Sequence, residues 1–173
     1  IDNIQELIYE LQVYQIELQM QNEELQRAHT ETQIARDKYH DLFDFAPIGY
    51  VTMDEEGIVL EANLMMGTLL SISRSELLGK PFAQFIARCC QDEFYLHCNK
   101  TRLSGHKESC EVELLKKAGG LVNVQLQSIL IKKIGGVYRM AVIDVTELKE
   151  TVKSLAAERD KANVASIAKS QFL

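Results

Sequence analysis

Residues 1–44 contain neither glycine nor proline, and their apolar side chains recur every seven residues. Ile4, Leu11, Leu18 and Leu25, continued by Thr32 and Tyr39, form one series; Leu7, Tyr14, Gln21, Ala28, Ala35 and Leu42 stand three further on in each repeat. A pattern sustained this way among Glu and Gln predicts a coiled-coil helix. At about 1.5 Å per residue the helix runs roughly 65 Å, far more than a small domain needs to cover itself. One such helix leaves its stripe wet, so a second copy of the chain is the simplest partner, through a parallel seam of Ile4, Leu7, Leu11, Tyr14, Leu18 and Leu25. Gln21, Thr32 and the alanines weaken that seam in its second half. The rival arrangement, a helix lying along its own domain, buries only its last few turns.

The other end of the chain reads as helix again. Thr146 to Leu173 lacks Gly and Pro, and Leu148, Val152, Leu155 and Ala162 keep heptad steps. The later apolar set, Ala165, Ala168 and Phe172, is one residue out of phase, a slip that locally changes the winding of a coiled coil. A weak seam containing Arg159 explains the same pattern.

Between these helices the periodicity changes. Ile48–Met53 and Ile58–Ala62 are short apolar runs joined by Asp54-Glu55-Glu56-Gly57, which predicts a hairpin. Cys110 to Leu114 and Val122 to Leu126 alternate strictly across Lys117-Ala118-Gly119-Gly120, and Lys133-Ile134-Gly135-Gly136 leads into a third strand over 137–145. From Asn63 to Gly105 the chain reads as short helices. Asn63 is an N-cap candidate, Ser73 with Glu76 matches a capping box, and Gly79-Lys80-Pro81 ends that helix. Residues 92–103 form a longer helix stopped by Ser104-Gly105. The order predicts an α+β fold, a five-stranded antiparallel sheet with helices on one face. The domain boundaries are 1–44, 45–145 and 146–173.

Composition narrows the function classes. With 19 basic and 25 acidic residues the formal net charge is −6, which argues against binding nucleic acid through phosphate neutralisation. The longest uncharged run, Ala118 to Ile131, is too short and polar to span a bilayer. Ile1 to Glu10 carries acids and no basic leader, so no signal peptide is read, and a start at Ile suggests a fragment. Cys89, Cys90, Cys98 and Cys110 do not space as a disulfide framework and read as reduced, cytoplasmic thiols.

Taken in order, the middle segment resembles a PAS sensor domain. Gly57 to Asn63 resembles that family's second strand with its helix-capping Asn, Arg74 to Pro81 its central helix and turn, and Cys110 to Gly120 its third strand and hairpin. Asp144-Val145-Thr146-Glu147 is similar to the signature through which such domains hand over to an output helix. The likeness covers residues 39–148. The resemblance implies that Asp144, Val145, Thr146 and Glu147 carry the signal. From the sequence, Asp144 with Glu147 can form a capping box and Thr146 is a competing N-cap. Ala165 to Leu173 is similar to the opening of the dimerisation helix of sensor histidine kinases. That resemblance implies a phosphoacceptor histidine just beyond Leu173, a response regulator as the kinase's partner, and no catalysis by this chain.

No Gly-rich phosphate loop and no zinc-type cysteine spacing are present. Cys90 and His97, seven apart, are expected on one helix face. The resemblance makes a small-molecule pocket between sheet and helices conceivable, with Met65, Phe82, Phe85, Ile86, Tyr95, Val124, Leu126, Met140 and Val142 as inward-facing candidates. Each also reads as plain core, since interiors usually fill their space. Some PAS domains hold haem through a histidine on the long helix, which makes His97 a candidate ligand; the competing reading is a core-edge or surface histidine. The flavin-adduct signature is absent, and a flavin held without an adduct stays open. No cofactor is required by the sequence.

The leading expectation is therefore a cytoplasmic, homodimeric sensor module of a two-component histidine kinase. The alternatives are a haem- or flavin-binding redox or gas sensor, the same module with another output such as a nucleotide cyclase or chemoreceptor, and a structural dimeriser with an empty PAS fold.

Overall fold

The computed structural model describes residues 2–131 and 135–171. The chain divides into two compact units, Ile1–Phe43 and Asp44–Leu173.

The first unit is helix α1, which runs Asp2–Asp44 and so ends on the first residue of the second unit. The heptad positions Ile4, Leu7, Leu11, Tyr14, Leu18 and Leu25 are all exposed. Between them the polar face is stitched at i,i+4, by Gln19 to Glu23 at 3.2 Å and Arg27 to Glu31 at 3.1 Å. The hydroxyls of Thr30 and Thr32 donate back to the carbonyls of Gln26 and Ala28, one turn earlier in the helix.

In the second unit, strands β1 (Gly49–Met53) and β2 (Val59–Ala62) precede helices α2 (Leu64–Leu70) and α3 (Arg74–Leu77). Two 3₁₀ turns, Phe82–Phe85 and Arg88–Cys90, lead into α4 (Gln91–Ser104). Strands β3 (Glu108–Leu115), β4 (Leu121–Ile131) and β5 (Val137–Asp144) follow, and α5 (Thr146–Gln171) closes the chain. The strands form one five-stranded sheet in the order β2-β1-β5-β4-β3, antiparallel throughout. The expected α+β architecture is what forms. The turn read at Lys133-Ile134-Gly135-Gly136 begins at residues outside the described ones, as do Phe172 and Leu173.

Local chemistry explains the elements. Asp54 Oδ1 accepts from Ile58 N at 2.8 Å, and Gly57 sits at φ +84, so the β1–β2 turn closes on its own side chain. Ser73 and Glu76 form the reciprocal capping box that starts α3. A Cβ at Gly49 would stand 2.9 Å from Met66 Sδ and 3.2 Å from Val142 Cβ, so a side chain there would displace Met66; this close approach seats α2 on β1.

Segment 79–87 crosses one face and pairs with both edge strands of the sheet. At β2, Gly79 N donates to Val59 O (2.8 Å), Val59 N to Lys80 O (2.9 Å) and Phe82 N to Gly57 O (2.9 Å). At β3, Ala87 N donates to Glu113 O at 2.8 Å, beside the bridge between Ile86 and Leu114. Unpaired strand edges invite association with other chains, and here one segment covers part of each.

The core lies between the helices and the inward-facing rows Val112/Leu114, Val122/Val124/Leu126 and Met140/Val142, closed by Met66, Leu70, Leu77, Phe82 and Phe94. Two expected inward residues differ. Asn63 fixes the start of α2 so that Met66, Gly67 and Leu70 face the sheet, and Met65 is only half-buried. On α4 the buried face is Phe94, His97 and Thr101. Tyr95, one residue on and about 100° round the helix, is exposed.

Candidate functional site

Asn63 joins β1 to α2. Its Oδ1 accepts from Met66 N at 3.1 Å, as an N-cap, and from Tyr50 N at 2.9 Å; its Nδ2 donates to Ile48 O at 2.9 Å. The side chain is fully buried, and these bonds offset the cost of burying an amide.

The expected pocket residues do not converge on a cavity. Phe82, Ile86, Val124, Leu126, Met140 and Val142 pack against one another in the core, and Phe85 lies half-buried against them. Phe85 borders a hollow of about 330 Å³ with Lys80 and Lys117, Met140 one of about 370 Å³ with Ile48 and Arg139, and Tyr95 a cleft of about 170 Å³ between α4 and the β1–β2 turn. Met53, Phe94 and Cys98 form its apolar wall, and Glu55, Asn99 and Arg102 its polar rim. Tyr138 closes it, donating its hydroxyl to Cys98 O at 3.3 Å.

His97 faces the sheet from α4 and is 4% exposed. Its Nε2 shares a hydrogen bond of 2.8 Å with Ser128 Oγ on β4. Burial pushes its pKa below the ordinary value, against an opposing pull from Glu108; Lys100 adds to the lowering. The ring is therefore a neutral, buried strut between helix and sheet. Cys90 does not share its helix face, because α4 begins one residue later, at Gln91.

At the other end, β5 becomes α5 without a loop. Asp144 Oδ1 accepts from Thr146 N at 2.8 Å, two residues on, which is an Asx turn rather than the expected capping box with Glu147. Val145 O takes the first helical bond, from Lys149 N at 2.9 Å. Thr146 does not cap the helix either. Its hydroxyl faces Asn123 on β4, accepting from Asn123 N at 3.2 Å and lying 3.4 Å from Asn123 O. Val145 N donates to that same carbonyl at 2.9 Å. One turn into α5, Lys149 Nζ reaches Asn123 Oδ1 at 3.4 Å and pairs with Glu111 Oε2 on β3 at 2.8 Å. The first turn of α5 is thus fastened to two strands of the sheet. Asn123, Glu111 and Lys149 carry this fastening and were not legible beforehand, because Asn123 looks like any outward position of an alternating strand.

The family model described as PAS domain matches residues 47–147, more than half of the chain. The chain belongs to the PAS family. Among solved structures, its fold is similar to the PAS domain of an HTR-like protein from Haloarcula marismortui, at TM-score 0.60 and 18% identity, covering 69% of this chain and 98% of that one. A PAS domain from Colwellia psychrerythraea matches at TM-score 0.58 and 18% identity, covering 65% and 98%. A domain of the sensory box sensor histidine kinase/response regulator from Geobacter sulfurreducens matches at TM-score 0.52 and 21% identity, covering 64% and 95%. The comparison with curated proteins finds no match. Among the described residues, no helix is long and apolar enough to cross a membrane.

His97 is not free to ligate a haem in this PAS domain as it is built. The Nε2 of His97 is held by Ser128, and the 170 Å³ cleft is smaller than the roughly 300 Å³ at which pockets for drug-sized ligands begin. The cleft suits a molecule of a few heavy atoms, since an apolar cavity of about 150 Å³ can accept benzene.

Proposed function

We propose that this PAS protein is the sensing and dimerising module of a two-component sensor histidine kinase, acting in the cytoplasm. Two copies pair in parallel through α1, and α5 relays the state of the sheet to a histidine kinase core. The chain itself catalyses nothing in this reading; a response regulator is the partner of the kinase. The observation that carries it is the fastening of α5 to Asn123 and Glu111, which couples the output helix to the central sheet through the first turn of the helix. The likeness of Ala165 to Leu173 to the start of a kinase dimerisation helix supports this output over a cyclase or chemoreceptor. The Geobacter domain, from a sensor histidine kinase/response regulator, supports it further.

The test is autophosphorylation of the longer protein carrying residues 1–173, with and without stimulus. Asp144→Ala and Thr146→Ala are expected to leave the domain folded but to abolish the difference between the two conditions. An unchanged stimulus response in both variants would reduce the junction to a connector.

A further inference from the structure

Cys89 and Cys90 lie in the 3₁₀ turn before α4, and Glu113 lies on edge strand β3. The two sulfurs are 3.5 Å apart, and Cys89 Sγ stands 3.9 Å from Glu113 Oε2. All three donor atoms fall within 4.8 Å of one another. A tetrahedral zinc ion with Zn–S bonds of about 2.3 Å sets two sulfurs about 3.8 Å apart, and a carboxylate oxygen about 3.6 Å from each. The sulfur–sulfur distance and the distance from Cys89 Sγ to Glu113 Oε2 are each within a few tenths of an ångström of those figures, and Cys90 Sγ lies within 4.8 Å of the carboxylate.

The backbone keeps them there. Ala87 N donates to Glu113 O at 2.8 Å, so the residue that supplies the carboxylate is stitched to the residue two before Cys89. Cys90 N donates to Ala87 O at 2.9 Å, and the bridge between Ile86 and Leu114 extends the same seam. Cys90 packs against the core, while Cys89 is open to solvent. The frame is rigid on one side and accessible on the other. Cysteine spacing alone does not reveal this group, since adjacent cysteines match no zinc motif and the third donor lies 24 residues away.

We propose that Cys89, Cys90 and Glu113 form a binding site for a thiophilic divalent cation of the zinc class. On binding, each thiol gives its proton to solvent as its sulfur–metal bond forms, the carboxylate supplies the third bond, and no oxidation state changes. The fourth tetrahedral position is left to an outside ligand. The bound ion would clamp the turn before α4 to β3, on the side of the domain that already closes the sheet edge.

Cobalt(II) is the probe, added to the full chain under a phosphine reductant and read by thiolate-to-metal charge-transfer absorption, then displaced by zinc. The site predicts one ion per chain. Cys89→Ser and Cys90→Ser should each weaken binding by more than about a hundredfold, beyond the loss that outer-shell changes cause, and Glu113→Gln by about tenfold. Cys98→Ala should bind as the parent does. Because Cys89 is exposed, its replacement leaves the fold intact, which circular dichroism checks. Absence of a charge-transfer band in the reduced parent, or cobalt bound equally well by Cys89→Ser, would overturn the site. So would a Cys89–Cys90 disulfide that, once reduced, takes up no metal.

Discussion

At the scale of single residues, the two most consequential polar side chains are buried ones. Asn63 holds a helix cap and two backbone groups of the β1 entry at once. Asn63→Ala leaves Tyr50 N and Ile48 O without these partners as well as removing the cap, and is expected to cost about 3 kcal/mol. Urea unfolding checks this, and Asn63→Asp should recover the part that depends on Oδ1. The buried His97 sets a pH dependence. Its folded pKa lies below the ordinary 6.5, so in acid the unfolded chain binds a proton that the folded chain resists. Its contribution is complete above 6.5 and is lost as pH falls below that value; burial causes the shift, Glu108 opposes it and Lys100 adds to it. Unfolding midpoints measured between neutral pH and pH 5 should fall, and His97→Gln should flatten that slope. Glu76 acts in a lower window. Its bond to Lys117 holds its carboxyl at about 2, so what that pair adds is lost only as pH falls from 4.5 toward 2.

At the scale of elements, what could be read from the sequence was what is local in it. The Ser73–Glu76 box, the Asp54–Gly57 turn, the stop of α4 at Gly105 and the alternation of β3 and β4 each involve residues a few positions apart. The core lining was legible by periodicity, except where it depended on where a helix starts: Met66 replaces Met65, and Phe94 replaces Tyr95. What was not legible is held across distance. Ser128 meets His97 from 31 residues away, and Asn123 meets Thr146 from 23 residues away, in positions that no local pattern marks. The junction shows the consequence. Thr146 was a cap candidate on sequence, yet its hydroxyl bonds the neighbouring strand instead. Removing it loses side-chain bonds worth about 1 kcal/mol, small against a domain's total stability. The same 1 kcal/mol displaces a balanced two-state junction several-fold. Thr146→Ala and Asp144→Ala should therefore keep a cooperative unfolding transition near that of the parent, while the stimulus response of the longer protein is lost.

At the scale of the whole molecule, the distribution of apolar surface is uneven. The PAS unit has one buried core, and its own backbone pairs with part of each edge strand. Helix α1, 43 residues long, presents Ile4, Leu7, Leu11, Tyr14, Leu18 and Leu25 to solvent, each at least 57% exposed. Leu148, Val152 and Leu155 on α5 are similarly bare. Apolar side chains at heptad spacing are worth roughly 1.5–3 kcal/mol each when buried, so a parallel pair of copies has a large driving force. In the proposed relay α5 acts against a partner helix, so that proposal expects two copies. Sedimentation equilibrium of the 173-residue chain at micromolar concentration tests that directly. The expected result is a dimer that becomes a folded monomer when Leu11 and Leu18 are both replaced by lysine; a parent chain that sediments as a monomer would contradict it.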